Sequence, residues 1–191
     1  VGNIARQLKT KAPDHIVLGL DANFFATSAR VRTPFTKKPL KGETLYLSLP
    51  LMRMMSDAET KSIIGHEIGH FSGNDTAYSH YFAPAYTGLG EAIEKMNVSW
   101  TSWRALSWPA KVMLSYILSA FSHAERRISR EREMRADQLG ASVSSAEDST
   151  KALLKSSALA AIWNAEFGEM IQRVQQGRFS RNLSKNFVER T

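Results

Sequence analysis

The residues whose types and spacing most directly suggest chemistry are His66, Glu67 and His70, in the run Ile63-Ile64-Gly65-His66-Glu67-Ile68-Gly69-His70. On a helix, residues four apart share a face, so both imidazoles can reach a single ion while Glu67 points to the neighbouring face. There its carboxylate can touch a water on the metal without occupying the metal. A catalytic zinc site takes three protein ligands and keeps water in the fourth position, and the ion lowers the pKa of that water toward neutrality. The spacing therefore predicts hydrolysis, with Glu67 taking a proton from a zinc-bound water and later giving one to a leaving amine. Chance would produce H-E-x-x-H in roughly one of a hundred chains like this one. The bland reading is a solvated face carrying two imidazoles and a carboxylate, and the three Ile and the Phe71 around them count against it.

A third ligand is required, and the chain has no cysteine to provide it. The extended pattern H-E-x-x-H-x-x-G-x-x-H reads through Gly73 and would place a ligand at residue 76, which is Thr76. Asp75 is one residue off, a rotation of about 100° on a helix. A carboxylate on a separate helix is the other scheme, and Glu133, in Ser129-Arg130-Glu131-Arg132-Glu133-Met134-Arg135-Ala136-Asp137, is the best candidate. Asp137 lies one turn further on the same face. From there it can accept the free N–H of a ligating imidazole and so set its tautomer. Small Ala136 leaves room for the close helix approach that such a bond needs. Without the first motif, this stretch would read as a solvated charge run held by Arg127/Glu131 and Glu131/Arg135 pairs.

These residues need elements to hold them. Ser56 and Glu59 have capping-box spacing, so a helix of about four turns is expected from Asp57 to Gly73, with Ile63, Ile64, Ile68 and Phe71 as its apolar stripe. Residues 2–10 suit a short amphipathic helix ending before Pro13. The β-branched and aromatic run HIVLGLDANFFA (15–26) and the alternating TLYLSL (44–49) predict two strands, with a Pro- and Lys-rich loop between them. A long helix is expected from Pro109 through residue 141. Ser144 and Glu147 suggest another capping box, starting a helix that Gly168 ends, followed by a weakly patterned basic tail. Residues 74–109 show no regular pattern.

With 191 residues, 43% apolar and 23% charged, the composition is globular, and one catalytic domain over residues 1–191 is the expectation. The apolar stretch 112–121 is too short to span a bilayer. It is expected to be a buried core helix, with a membrane-interface segment as the alternative. The chain begins with Val1 and shows no secretory signal, so it is read as a domain excised from a longer protein. The net charge of +7 favours anionic surfaces such as phospholipid headgroups. No glycine-aromatic signature accompanies the basic residues, and nucleic acid is not expected as a partner.

HEIGH, together with S-R-x-x-E-x-x-A-D some sixty residues later, resembles the HtpX-like and CaaX prenyl endopeptidase family of gluzincin zinc metallopeptidases. Asn23-Phe24-Phe25-Ala26 is similar to that family's N-A-F-A strand, and TLYLSLPL to the strand and turn before its catalytic helix. The likeness covers about residues 1–165. It departs at Phe24, where a small residue is usual, at Met134, where an aromatic is usual, and in lacking long spanning helices. The resemblance implies a predominantly helical α+β, zincin-like domain with a small edge-open sheet packed on the H-E-x-x-H helix. It implies one zinc ion held by His66, His70 and Glu133, with Glu67 as general base and then acid and Asp137 behind the metal ligands. Asn23 would lie near the strand edge that pairs with substrate. The expected activity is endopeptidase cleavage of extended or unfolded protein segments, in a membrane-associated protein whose site faces the cytoplasm. The competing expectation is a catalytically idle, metal-binding chaperone or regulatory module.

Overall fold

The computed structural model describes residues 1–72, 87–88, 90–92, 94–95, 104–177 and 183–190. By its contacts the chain divides into two compact units, residues 1–73 with 135–191, and residues 74–134. The first unit opens with helix α1 (Gly2–Gln7), whose Ile4 and Ala5 are buried. Strands β1 (His15–Gly19), β2 (Phe25–Thr27) and β3 (Thr44–Ser48) follow. β3 is central, parallel to β1 and antiparallel to β2, so β1 and β2 are the two edges of an open sheet.

The run 15–26, expected as one strand, is therefore two strands on opposite sides of β3. The cause is the bend at residues 19–24. Gly19 has no Cβ, and the Tyr46 ring lies where one would be. Tyr46 reaches across it, and its hydroxyl accepts the Asp21 N–H at 2.9 Å. Burial pushes the Tyr46 phenol above its ordinary pKa. Trp163 Nε1 donates to the Leu20 carbonyl at 2.7 Å, tying down the same bend. Partners on both sides also explain why all five residues of β3 are buried despite their alternating pattern.

β3 leads into helix α2 (Leu49–Arg53), where the Ser48 hydroxyl accepts the Leu51 N–H and Pro50 fits the first turn. The capping box then forms as expected. Ser56 Oγ accepts from Glu59 N at 3.2 Å, and Glu59 Oε2 accepts from Ser56 N at 2.8 Å. Helix α3 (Asp57–Ser72) starts there, while Gly73, its expected stop, lies outside the described residues. Ile63, Ile64 and Ile68 are buried against Leu45, Leu47 and Leu51, each contributing about 1.5–3 kcal/mol of apolar burial.

Helix α4 (Arg104–Ser142) begins five residues before Pro109, which lies inside it. In residues 112–117 the expected burial is absent: Val112, Met113, Tyr116 and Ile117 are 41–75% exposed. No helix among the described residues is long and apolar enough to cross a membrane. Helix α5 (Ala146–Gln175) is capped one residue later than the Ser144 reading: Ser145 Oγ accepts from Asp148 N at 3.0 Å. It also continues through Gly168 to Gln175, and Gly177 follows with a φ of +74°, which favours glycine just past a helix end. The tail contains helix α6 (Leu183–Arg190), whose Phe187 is buried edge-on against Trp163 at 5.0 Å. The observed class is thus predominantly helical with a small open sheet, as expected.

Two contacts inside the first unit fix where α3 lies. The first is a close crossing with the end of α4. A Cβ on Gly140 would stand 2.8 Å from the Ser62 carbonyl oxygen, and one on Gly69 would stand 3.3 Å from Ala136 Cα. The second is an ion pair: Glu59 Oε2, almost fully buried, also accepts from Lys155 Nζ on α5 at 2.8 Å. The hydrogen bond from Lys155 is the main reason that the Glu59 carboxyl is held below its ordinary pKa.

Gly140→Ala pushes a methyl into backbone and is expected to cost about 1–3 kcal/mol in denaturant unfolding. Gly168→Ala, in open space within α5, is expected to gain about 0.5–1 kcal/mol. A harmless Gly140→Ala would refute the tight crossing. Because the Glu59 pKa is lower folded than unfolded, its stabilisation is complete above the unfolded value, near 4.5, and is lost as pH falls through the folded one. The stability gap between wild type and Glu59→Gln should therefore be full at pH 7 and shrink below about pH 4.5, read from unfolding midpoints across that range.

Candidate active site

His66, Glu67 and His70 lie on successive turns of α3, each partly buried, with Ile63, Ile64, Gly65, Ile68 and Gly69 buried around them. The imidazoles of His66 and His70 stand edge to face, ring centres 5.0 Å apart. His66 Nδ1 is 3.0 Å from Asp137 Oδ1. By its geometry the contact is an ion-pair approach rather than a hydrogen bond. A carboxylate at this distance favours the imidazole tautomer with its proton on Nδ1. The crossing of α3 and α4 makes the contact short, since a Cβ on Gly140 would stand 3.3 Å from His66 Cβ.

Glu133 is exposed, one turn before Asp137 on the same unbroken helix. The ligand atoms of His66, His70 and Glu133 all lie within 4.8 Å of one another. Two imidazoles and one carboxylate are a donor set that suits zinc, whose bonds to nitrogen and oxygen are about 2.0–2.2 Å. The carboxylate of Asp137 beside His66 Nδ1 adds to that fit, because a metal-binding imidazole must present its other nitrogen bare.

Glu67 and His66 also line an open cleft of about 200 Å³. On one side of it are Asn23 and Phe24, from the bend between β1 and β2, and on the other Leu153, Ser156, Ser157 and Ala160 of α5. Asn23 is exposed, and its Oδ1 accepts the Phe24 N–H at 2.9 Å.

Among the other residues singled out by pattern, Asp75, Thr76 and His80 lie outside the described residues. His123 is exposed and bonds back to the Ser119 carbonyl at 2.8 Å, a contact within its own helix. The α5 wall of the cleft was missed from sequence. Its signal was present, since Ser156, Ser157 and Ala160 make one face of that helix unusually small. Lys155, which anchors Glu59, was missed as well, because nothing in the pattern joins residues 96 apart.

The model of peptidase family M48 matches residues 33–181, and the chain belongs to that family. Among curated proteins it is similar to the protease HtpX homolog of Methanopyrus kandleri, 30% identical over 135 residues, or 69% of this chain and 39% of that protein. It is also similar to the protease HtpX homolog of Archaeoglobus fulgidus, 36% identical over 77 residues, 40% of this chain and 20% of that protein. Protease HtpX homolog 2 of Sulfurisphaera tokodaii is 45% identical over 40 residues, 21% of this chain and 12% of that protein. The matches thus span well under half the length of each relative. No solved structure matches the chain.

Asp137→Asn keeps the shape of the side chain but removes the charge that holds His66. It is expected to weaken zinc binding about 10–100-fold in chelator competition, with the circular dichroism spectrum unchanged. Unaltered affinity would show that the 3.0 Å contact does not support the imidazole.

Proposed function

We propose that the chain is the zincin-like catalytic domain of a zinc-dependent metalloendopeptidase of the gluzincin type, acting on extended or unfolded protein segments. The observation that carries this reading is the gathering of His66, His70 and Glu133 to within 4.8 Å, with Glu67 of the same helix opening onto a cleft. His66, His70 and Glu133 would hold one zinc ion per chain. Zinc supplies Lewis acidity toward water and toward the carbonyl of the bond to be cut. The remaining work falls to the protein's own side chains.

The Glu67 carboxylate accepts a proton from the attacking water and passes it to the nitrogen of the leaving amine, so one group serves as base and then acid. Asp137, 3.0 Å from His66 Nδ1, would favour the ring with its proton on that nitrogen. Asn23, exposed and with its Oδ1 engaged by the Phe24 N–H, would donate through Nδ2 to a backbone carbonyl of the substrate. The outer edge of β2, adjacent to Asn23, can accept an extended segment as an added strand. Pairing through backbone groups is largely indifferent to sequence and therefore suits unfolded polypeptide. The full-length protein is read as membrane-associated with this site on the cytoplasmic side, and the +7 charge suits an anionic leaflet.

With zinc present, the chain is expected to cut unfolded casein, and Glu67→Gln to lower the rate by about 10²–10⁴-fold while retaining metal. Glu133→Ala is expected to lose stoichiometric zinc. Equal cleavage by wild type and Glu67→Gln would overturn the peptidase reading, and undiminished zinc affinity in Glu133→Ala would misplace the third ligand.

A further inference from the structure

Helix α5 presents two adjacent faces to the rest of the first unit. Ala152, Leu159 and Trp163 are buried in the core with Ile63, Ile64 and Ile68 of α3. Beside that stripe, Leu153, Ser156, Ser157 and Ala160, spaced three and four residues apart on one face, line the cleft that contains His66 and Glu67. Interiors are normally packed without voids, and a helix lying beside α3 would ordinarily fill this space with large side chains. Here three of the four positions carry Ser or Ala, so a space of about 200 Å³ stays open next to Glu67.

We propose that this α5 face is the specificity wall of the site, and that the cleft receives one bulky apolar side chain of the substrate residue flanking the bond to be cut. The inference rests on the peptidase reading and adds to it the class of residue selected. Size is the first argument. Cavities for whole small-molecule ligands run to about 300–1,000 Å³, whereas an apolar cavity of about 150 Å³ admits benzene. A cleft of 200 Å³ therefore matches a single side chain of Phe, Leu or Met size. The lining is the second. Phe24, Leu51, Ile63, Leu153 and Ala160 give the cleft an apolar part, the Ser156 hydroxyl is already spent on the Leu153 carbonyl at 2.8 Å, and the remaining polar lining is Asn23, Ser157, His66 and Glu67. Apart from His66 and Glu67, which the chemistry uses, no charged residue lines the cleft. A charged substrate side chain would lose its hydration there without gaining a partner. Placement is the third: Phe24, which lines the cleft, lies between Asn23 and the start of β2, so a segment lying along the edge of β2 passes beside the cleft.

The test uses the full chain loaded with zinc. Casein fragments are sequenced by mass spectrometry, and kcat/KM is measured on a peptide series differing only in the residues flanking the cut. Wild type is expected to favour Phe, Leu or Met over Gly on one side of the bond by at least tenfold, since one methylene in an apolar pocket is worth about 10–200-fold. Ser157→Leu and Ala160→Phe, which fill the cleft, are expected to erase or invert that preference with zinc content unchanged. Ser157→Gly, which widens it, should shift preference toward the largest side chains and serves if the filled variants do not fold. Ala158→Phe, on the exposed side of the same helix, should leave the preference as in wild type. Cleavage by wild type without apolar preference, or a preference unmoved by the Ser157 variants, overturns the specificity wall and leaves the peptidase reading standing. No cleavage by wild type overturns both.

Discussion

The close crossing of α3 with the last turns of α4 is the constraint on which the site depends. Gly69 meets Ala136, and Gly140 lies against the Ser62 carbonyl and His66 Cβ, so the two helices approach at a distance that ordinary side chains would prevent. At that separation Asp137 can reach the ring of His66 directly. Glu133 follows from the same geometry, because it precedes Asp137 by one turn and shares its face. A wider crossing would put a water between His66 and Asp137 and leave the imidazole free to turn.

The rest of the first unit holds α3 in place for that crossing. Buried Ile side chains fasten it to β3 and α5, and the capping box at its start is locked by Lys155 through Glu59. Helix α5 thus does two things. One side braces the catalytic helix and, through Trp163, the bend that carries Asn23. The other side stays small and leaves the cleft beside Glu67 open. Support and access come from one helix, so the cleft has a firm wall.

Family membership and geometry bear on different parts of this account. Matching family M48 over residues 33–181 places the chain among peptidases, while the gathered side chains say how these particular residues would perform such a reaction. The bend at Gly19 and the small face of α5 belong to this chain's own packing. They shape the cleft beside Glu67 rather than the spacing of the candidate ligands.

Local rules made much of this legible in the sequence. Helical spacing alone puts His66 and His70 on one face with Glu67 beside them, and short-range hydrogen bonding locates the start of α3 at Ser56 and Glu59. The pairing of Glu133 with Asp137 is also a local relation, four residues apart. Other features were decided by contacts between segments distant in sequence, which periodicity cannot register. The run 15–26 reads as one strand, and only Tyr46 and Trp163 break it and send β2 to the other side of β3. Gly168 reads as a stop, but nothing crowds α5 there, and the helix continues to Gln175, shortly before a glycine with positive φ. The tail reads as unpatterned because Phe187 acquires its role only against Trp163. Sequence by itself therefore determined which candidate residues share a helical face, since helical spacing is a property of the backbone. Tertiary structure decided how closely they meet and how much space stays open beside Glu67, since both depend on which small residues of distant segments come to face one another.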